Sequence, residues 1–99
     1  EAFAARGGFD GAVRQDPGTG ELEIRYRYEG DAGPVEVAFH DVSGRRLRII
    51  DEGLRGEGEH VLRWDGRTAG GRRISAGVLF VTLRSGDASD TSKAVVLPY

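Results

Sequence analysis

The segment Glu21-Leu22-Glu23-Ile24-Arg25-Tyr26-Arg27-Tyr28 alternates charged and apolar side chains over eight positions without a break. A period of two sends Leu22, Ile24, Tyr26 and Tyr28 to one face and every charge to the other. Only an extended strand with one wet face satisfies that pattern. No stretch of the chain carries a 3.6-residue apolar stripe to compete with it. Gly makes up 16 of the 99 residues and Pro only 3. That much Gly without a collagen repeat reads as tight turns between many short strands.

The same period continues along the chain. Val35, Val37 and Phe39 mark a strand, and Leu47 and Ile49 mark its return. Asp41-Val42-Ser43-Gly44 closes the hairpin between them, with Gly44 at the positive-φ position of a three-residue loop. A Gly-rich link from Gly53 to Glu59 leads to Leu62 and Trp64, which share a face. Arg72–Ser75 is expected as a short strand around Ile74, and Ala76-Gly77 as a kink or bulge. Val78–Leu83 is almost continuously apolar, as a central strand covered on both faces would be. Ser85–Asp90 reads as a polar turn and Lys93–Leu97 as the last strand. About seven short strands at this spacing predict an all-β chain folded as an antiparallel β-sandwich.

Residues 1–20 differ from the body at 21–99. They hold five glycines and two of the four Phe, and end in the turn signal Asp16-Pro17-Gly18. Phe9, Gly11 and Val13 alternate with Asp10, Ala12 and Arg14. The segment is either a first edge strand with a lead-in or an arm that reaches a neighbouring subunit through Phe3, Phe9 and Val13. Met is missing even at position 1, which fits a processed mature form or an excised fragment.

Function classes narrow by composition. Lys+Arg is 14 and Asp+Glu 16, a net charge of −2 that gives no reason to expect a nucleic acid or an anionic membrane as partner. No apolar run approaches the roughly 18 residues of a membrane-spanning helix, so no insertion into a bilayer is expected. The absence of Cys excludes disulfides, thiolate zinc sites and Cys nucleophiles. His40 and His60 form no metal-ligand pair, and no Ser lies in a G-x-S-x-G elbow. Asp87, Ser89 and Asp90 are either oxygen ligands for calcium or solvated turn residues. Arg45, Arg46 and Arg48 are either a docking patch or solvated charge. No catalysis and no cofactor are expected.

Trp64-Asp65-Gly66 carries a structural signature. Trp64 at a strand end can plug the mouth of a sandwich, Asp65 can accept hydrogen bonds from loop amides, and Gly66 permits a sharp exit.

The order of these pieces is similar to one family. Val35–Arg45 with Asp41-Val42-Ser43-Gly44-Arg45 comes first, then His60–Arg67 with Trp64-Asp65-Gly66. Gly71–Ile74, Ala76-Gly77-Val78-Leu79-Phe80 and Lys93–Leu97 follow. Over residues 21–97 the chain resembles the FlgD-like immunoglobulin-like domain, found in flagellar hook-capping proteins and as C-terminal modules of secreted bacterial proteins. Phe9 and Pro17 stand in place of the family's Asn-Pro-Phe-Asn-Pro-like lead-in, Leu79 where an aromatic is common, and Pro98-Tyr99 in place of a basic end. The resemblance implies an immunoglobulin-like sandwich without catalytic residues. It implies a secreted structural module at the cell surface or outside the cell, with protein partners. One expectation is a subunit or docking domain of a filament-like assembly, even a homo-polymer, that uses the N-terminal arm. The alternative is a C-terminal sorting or anchoring module of a larger protein.

Overall fold

The computed structural model describes residues 9–98, and of residues 9–11 the backbone alone. Seven strands follow in order: β1 Phe9–Gln15, β2 Leu22–Tyr28, β3 Gly33–His40, β4 Arg46–Arg55, β5 Gly58–Trp64, β6 Gly77–Ser85 and β7 Ala88–Val96. They form two antiparallel sheets, β1-β2-β5 and β4-β3-β6-β7. No helix occurs among the described residues. This is the expected immunoglobulin-like sandwich.

The alternation in β2 builds the core. Leu22, Ile24, Tyr26 and Tyr28 point inward and are buried, and Val35, Val37 and Phe39 of β3 meet them from the other sheet. Leu62 and Trp64 of β5, Leu79, Val81 and Leu83 of β6, and Val96 of β7 complete the cluster. Burying each of these large side chains favours folding by about 1.5–3 kcal/mol. The outward face of β2 keeps its charges in water, where Arg25 pairs with Glu23 at 2.9 Å.

Several expectations need correction. Residues 72–75 do not form a strand; a single bridge between Arg67 and Arg73 is all the pairing there. The polar turn shrinks to Gly86-Asp87, and β7 begins at Ala88. Ser89 and Asp90 read as turn because β7 is an edge strand with polar residues on both faces. Asp90 and Ser92 point inward, are buried and have partners. The link at Gly53–Glu59 is mostly strand, since β4 runs through a register shift between Val35 and Glu36 to Arg55. β6 is covered on one face only: Leu79, Val81 and Leu83 are buried while Val78 and its cross-strand neighbour Val95 are exposed.

Two polar contacts hold the sheets together at their margins. The Gln15 amide donates to the Leu97 carbonyl at 3.1 Å and accepts from the Leu97 N–H at 2.7 Å, clipping β1 to the end of β7. The Tyr26 hydroxyl donates to Glu52 Oε1 at 2.9 Å, joining β2 to β4. Burial first, and the Glu52 hydrogen bond second, push the Tyr26 phenol well above its ordinary value of 10.0. Replacing Tyr26 by Phe removes a hydrogen bond to a charged acceptor and leaves the little-exposed Glu52 carboxylate with Arg55, 3.7 Å away. We expect a loss of about 1–3 kcal/mol in urea-unfolding free energy with an unchanged m-value.

Candidate docking groove

Antiparallel registers define two poles. Phe9 pairs with Tyr28, which pairs with Gly58, at one pole. Gln15 pairs with Leu22, which pairs with Trp64, at the other. The Gln15–Leu97 clip and the Gly77–Val96 pair put the start of β6 at the Trp64 pole as well. The residues singled out in the sequence, Gly44, Trp64, Asp65, Gly66 and Gly77, all lie towards this second pole.

Trp64 anchors that pole. It is 2% exposed, and its ring stacks on Phe39 with centroids 4.0 Å apart and planes 24° from parallel. The indole N–H donates to the Arg67 carbonyl at 2.9 Å, and Arg48 Nη1 donates to the same oxygen at 3.3 Å. Asp65 Oδ1 accepts the Arg67 amide at 2.9 Å, an Asx turn. Gly66 turns with φ +77°, a region costly for any residue with a Cβ. Its carbonyl accepts Ile74 N–H at 2.8 Å, and Thr68 N–H reaches the Arg72 carbonyl at 2.8 Å. Residues 66–74 are thus a small hairpin fastened to Trp64. The segment around Ile74 is its return arm, joined by the single Arg67–Arg73 bridge and not a strand.

The β3–β4 turn is built around one carboxylate. Asp41 Oδ1 accepts Ser43 Oγ–H at 2.6 Å, Ser43 N–H at 2.9 Å and Arg45 N–H at 3.1 Å. The Asp41 N–H to Arg45 O bond, 3.0 Å, leaves a three-residue loop with Gly44 at φ +86°. The Ser43 hydroxyl first, then the Arg45 and Ser43 amides and the Arg45 charge, hold the Asp41 carboxyl below its ordinary value. Arg45 is tied to Asp41 at 3.4 Å and Arg48 to the Arg67 carbonyl. The arginine cluster is therefore partly structural.

A groove of about 320 Å³ opens between this turn and the 66–76 hairpin. Val42, Leu47, Ile74, Ala76, Val78 and Leu79 give it an apolar floor, and Arg45, Arg72 and Arg73 a cationic rim. One wall is backbone. β6 pairs with β7 from Gly77 onward, but its ladder with β3 ends at His40–Phe80. On the β3 side, Gly77–Leu79 therefore have the groove in place of a strand. Gly77 enters β6 at φ +133°. This open edge could not be read from the sequence, because it depends on β3 turning away at Asp41 before β6 has ended.

The remaining candidates do not converge on the groove. His40 is on β3 in one sheet, and His60 is on β5 in the other, 5.4 Å from the Tyr26 ring and 2.8 Å from the Gly56 carbonyl. Asp87, Ser89 and Asp90 do not gather for calcium, because strand alternation buries Asp90 and leaves Asp87 and Ser89 exposed. No group of three metal-ligating side chains occurs among the described residues. Val13 packs against this chain's own core. Phe9 starts β1, and Phe3 lies outside the described residues.

A family model described as FlgD Ig-like domain matches residues 11–89. No curated protein matches the chain. Among solved structures, FlgD from P. aeruginosa superposes with a TM-score of 0.64 at 18% identity. The match covers 72% of this chain and 58% of that one, so the chain spans little more than half of that protein.

Two measurements check this pole. Trp64→Ala should lose about 3–5 kcal/mol of unfolding free energy, as large aromatic truncations in cores do; an unchanged urea midpoint would contradict the anchoring role. In an NMR titration Asp41 should have its midpoint below 3.8 and move upward in Ser43→Ala. Its contribution to stability is present above the unfolded-state pKa and is lost as pH falls through the depressed native value.

Proposed function

The chain belongs to the FlgD Ig-like domain family, and from that membership we propose a secreted, non-catalytic structural module that docks subunits of an extracellular assembly. The N-terminal segment makes the subunit contact, and the partner is another copy or another surface protein. The observation that carries this reading is the pairing of β1. Phe9–Gln15 are bound in register to β2, so whatever precedes Phe9 starts from a fixed point at the Tyr28 pole. The apolar Ala2-Phe3-Ala4-Ala5 lies just upstream. The contact segment is accordingly residues 1–8, since Phe9–Gln15 are already committed to their own sheet.

A second reading, a C-terminal anchoring module of a larger secreted protein, is favoured by the 58% span of the longer FlgD chain. Deleting residues 1–8 separates the two. Light scattering across a concentration series should show full-length protein growing in mass and the deletion variant remaining a folded monomer with the same Tm. Full-length protein that stays monomeric at millimolar concentration would sink the assembly role and favour the anchoring module.

A further inference from the structure

We propose that the groove at the Trp64 pole receives residues Ala2–Ala5 of a second copy of this chain. Phe3 sits on the apolar floor, and the extended backbone lies beside Gly77–Leu79 of β6. This rests on the docking role proposed for the N-terminal segment and names its receptor.

The geometry points to another copy rather than the same one. Phe9 and Gln15 are six residue steps apart along β1, roughly 20 Å. Phe3 is also six steps from Phe9, so a fully extended segment reaches back about the same distance. Folded back along its own chain, Phe3 only just attains the level of Gln15. The groove is further away: β6 lies in the opposite sheet, one strand in from β7. That adds roughly 10 Å of sheet spacing and 5 Å of strand spacing. The segment therefore falls short of its own groove. A copy stacked head to tail brings its Trp64 pole to the Tyr28 pole of this one, where the segment begins. Donor and receptor at opposite poles make a heterologous contact that does not close on itself, and its repetition gives a filament.

The surfaces match in kind. The floor offers Val42, Ile74 and Val78 to an aromatic ring. The open side of Gly77–Leu79 supplies unpaired main-chain groups of the sort that strand addition uses. With Phe3 on the floor, Glu1 lies two residues away, within reach of the cationic rim at Arg45 and Arg72.

The chain has no native Cys, so cross-linking is clean. Ala4→Cys protein is mixed with Ser75→Cys protein, Ser75 being exposed on the groove, and disulfide-linked heterodimers are counted by mass. The control acceptor is Val61→Cys, exposed on the outer face of β5. The expected result is an A4C–S75C heterodimer at least tenfold above A4C–V61C, reduced at least tenfold when Val78→Asp is added to the acceptor. If the full-length chain assembles but cross-links equally to both sites, or keeps its A4C–S75C yield with V78D, the groove is not the receptor and the docking role stands. If the full-length chain neither gains mass nor cross-links, both readings fall together. In a parallel NMR titration of residues 9–99, the peptide EAFAARGG should shift resonances at Gly77–Leu79 and Val42–Arg45. Equal shifts from a scrambled peptide, or shifts elsewhere, would overturn the assignment.

Discussion

The contact between Trp64 and Phe39 is the constraint on which this end of the molecule depends. One ring comes from the three-stranded sheet and the other from the four-stranded sheet, so their stacking fixes how the sheets meet at one pole. The same indole uses its N–H on the Arg67 carbonyl. One side chain thereby sets both the core packing and the position of the loop that leaves it. Arg48 on the same oxygen carries the constraint on to β4, and the Asp41 carboxylate stiffens the neighbouring turn. Two loops that are far apart in sequence become two hydrogen-bonded banks with a groove between them.

The two banks are held by their own polar side chains. Here the strongly engaged polar groups are engaged internally: Asp65 on a backbone amide, Asp41 on Ser43 and Arg45, Tyr26 on Glu52. Their chemistry is consumed in holding shape. What faces the groove includes apolar surface, cationic side chains and a short length of strand edge.

Much of this was legible in the sequence, for identifiable reasons. Strict alternation in residues 21–28 gave β2 and its buried face, and Trp64-Asp65-Gly66 carried its own mechanism of closure. Elements were misjudged where polarity and burial part company. The first half of β7 hides behind Ser89–Ser92 because an edge strand tolerates polar side chains on both faces, including buried Asp90 and Ser92. Val78–Leu83 suggests burial on both faces, yet Val78 and Phe80 belong to an outer face with nothing upon it among the described residues. The groove was not legible at all. Its residues were each visible, but its open wall exists only because the β3–β6 ladder stops at His40–Phe80 while the β6–β7 ladder runs on to Gly77.

The shortness of that wall bears on specificity. A long free edge pairs with any extended chain, and sandwiches suppress that tendency with bulges and covered margins. Here β4 carries register shifts beside Val35 and Phe39, and β1 is clipped to Leu97 by Gln15. Three residues of open ladder at Gly77–Leu79 supply too few hydrogen bonds to retain an arbitrary strand, since each contributes only about 0.5–1.5 kcal/mol net. Retention must then come from a side chain that fits the apolar floor, worth about 1.5–3 kcal/mol if an aromatic is fully buried. In the proposed contact, main-chain pairing sets the direction of the incoming segment and the floor selects its sequence. An edge this short is thereby kept from indiscriminate pairing while remaining open to one hydrophobic anchor.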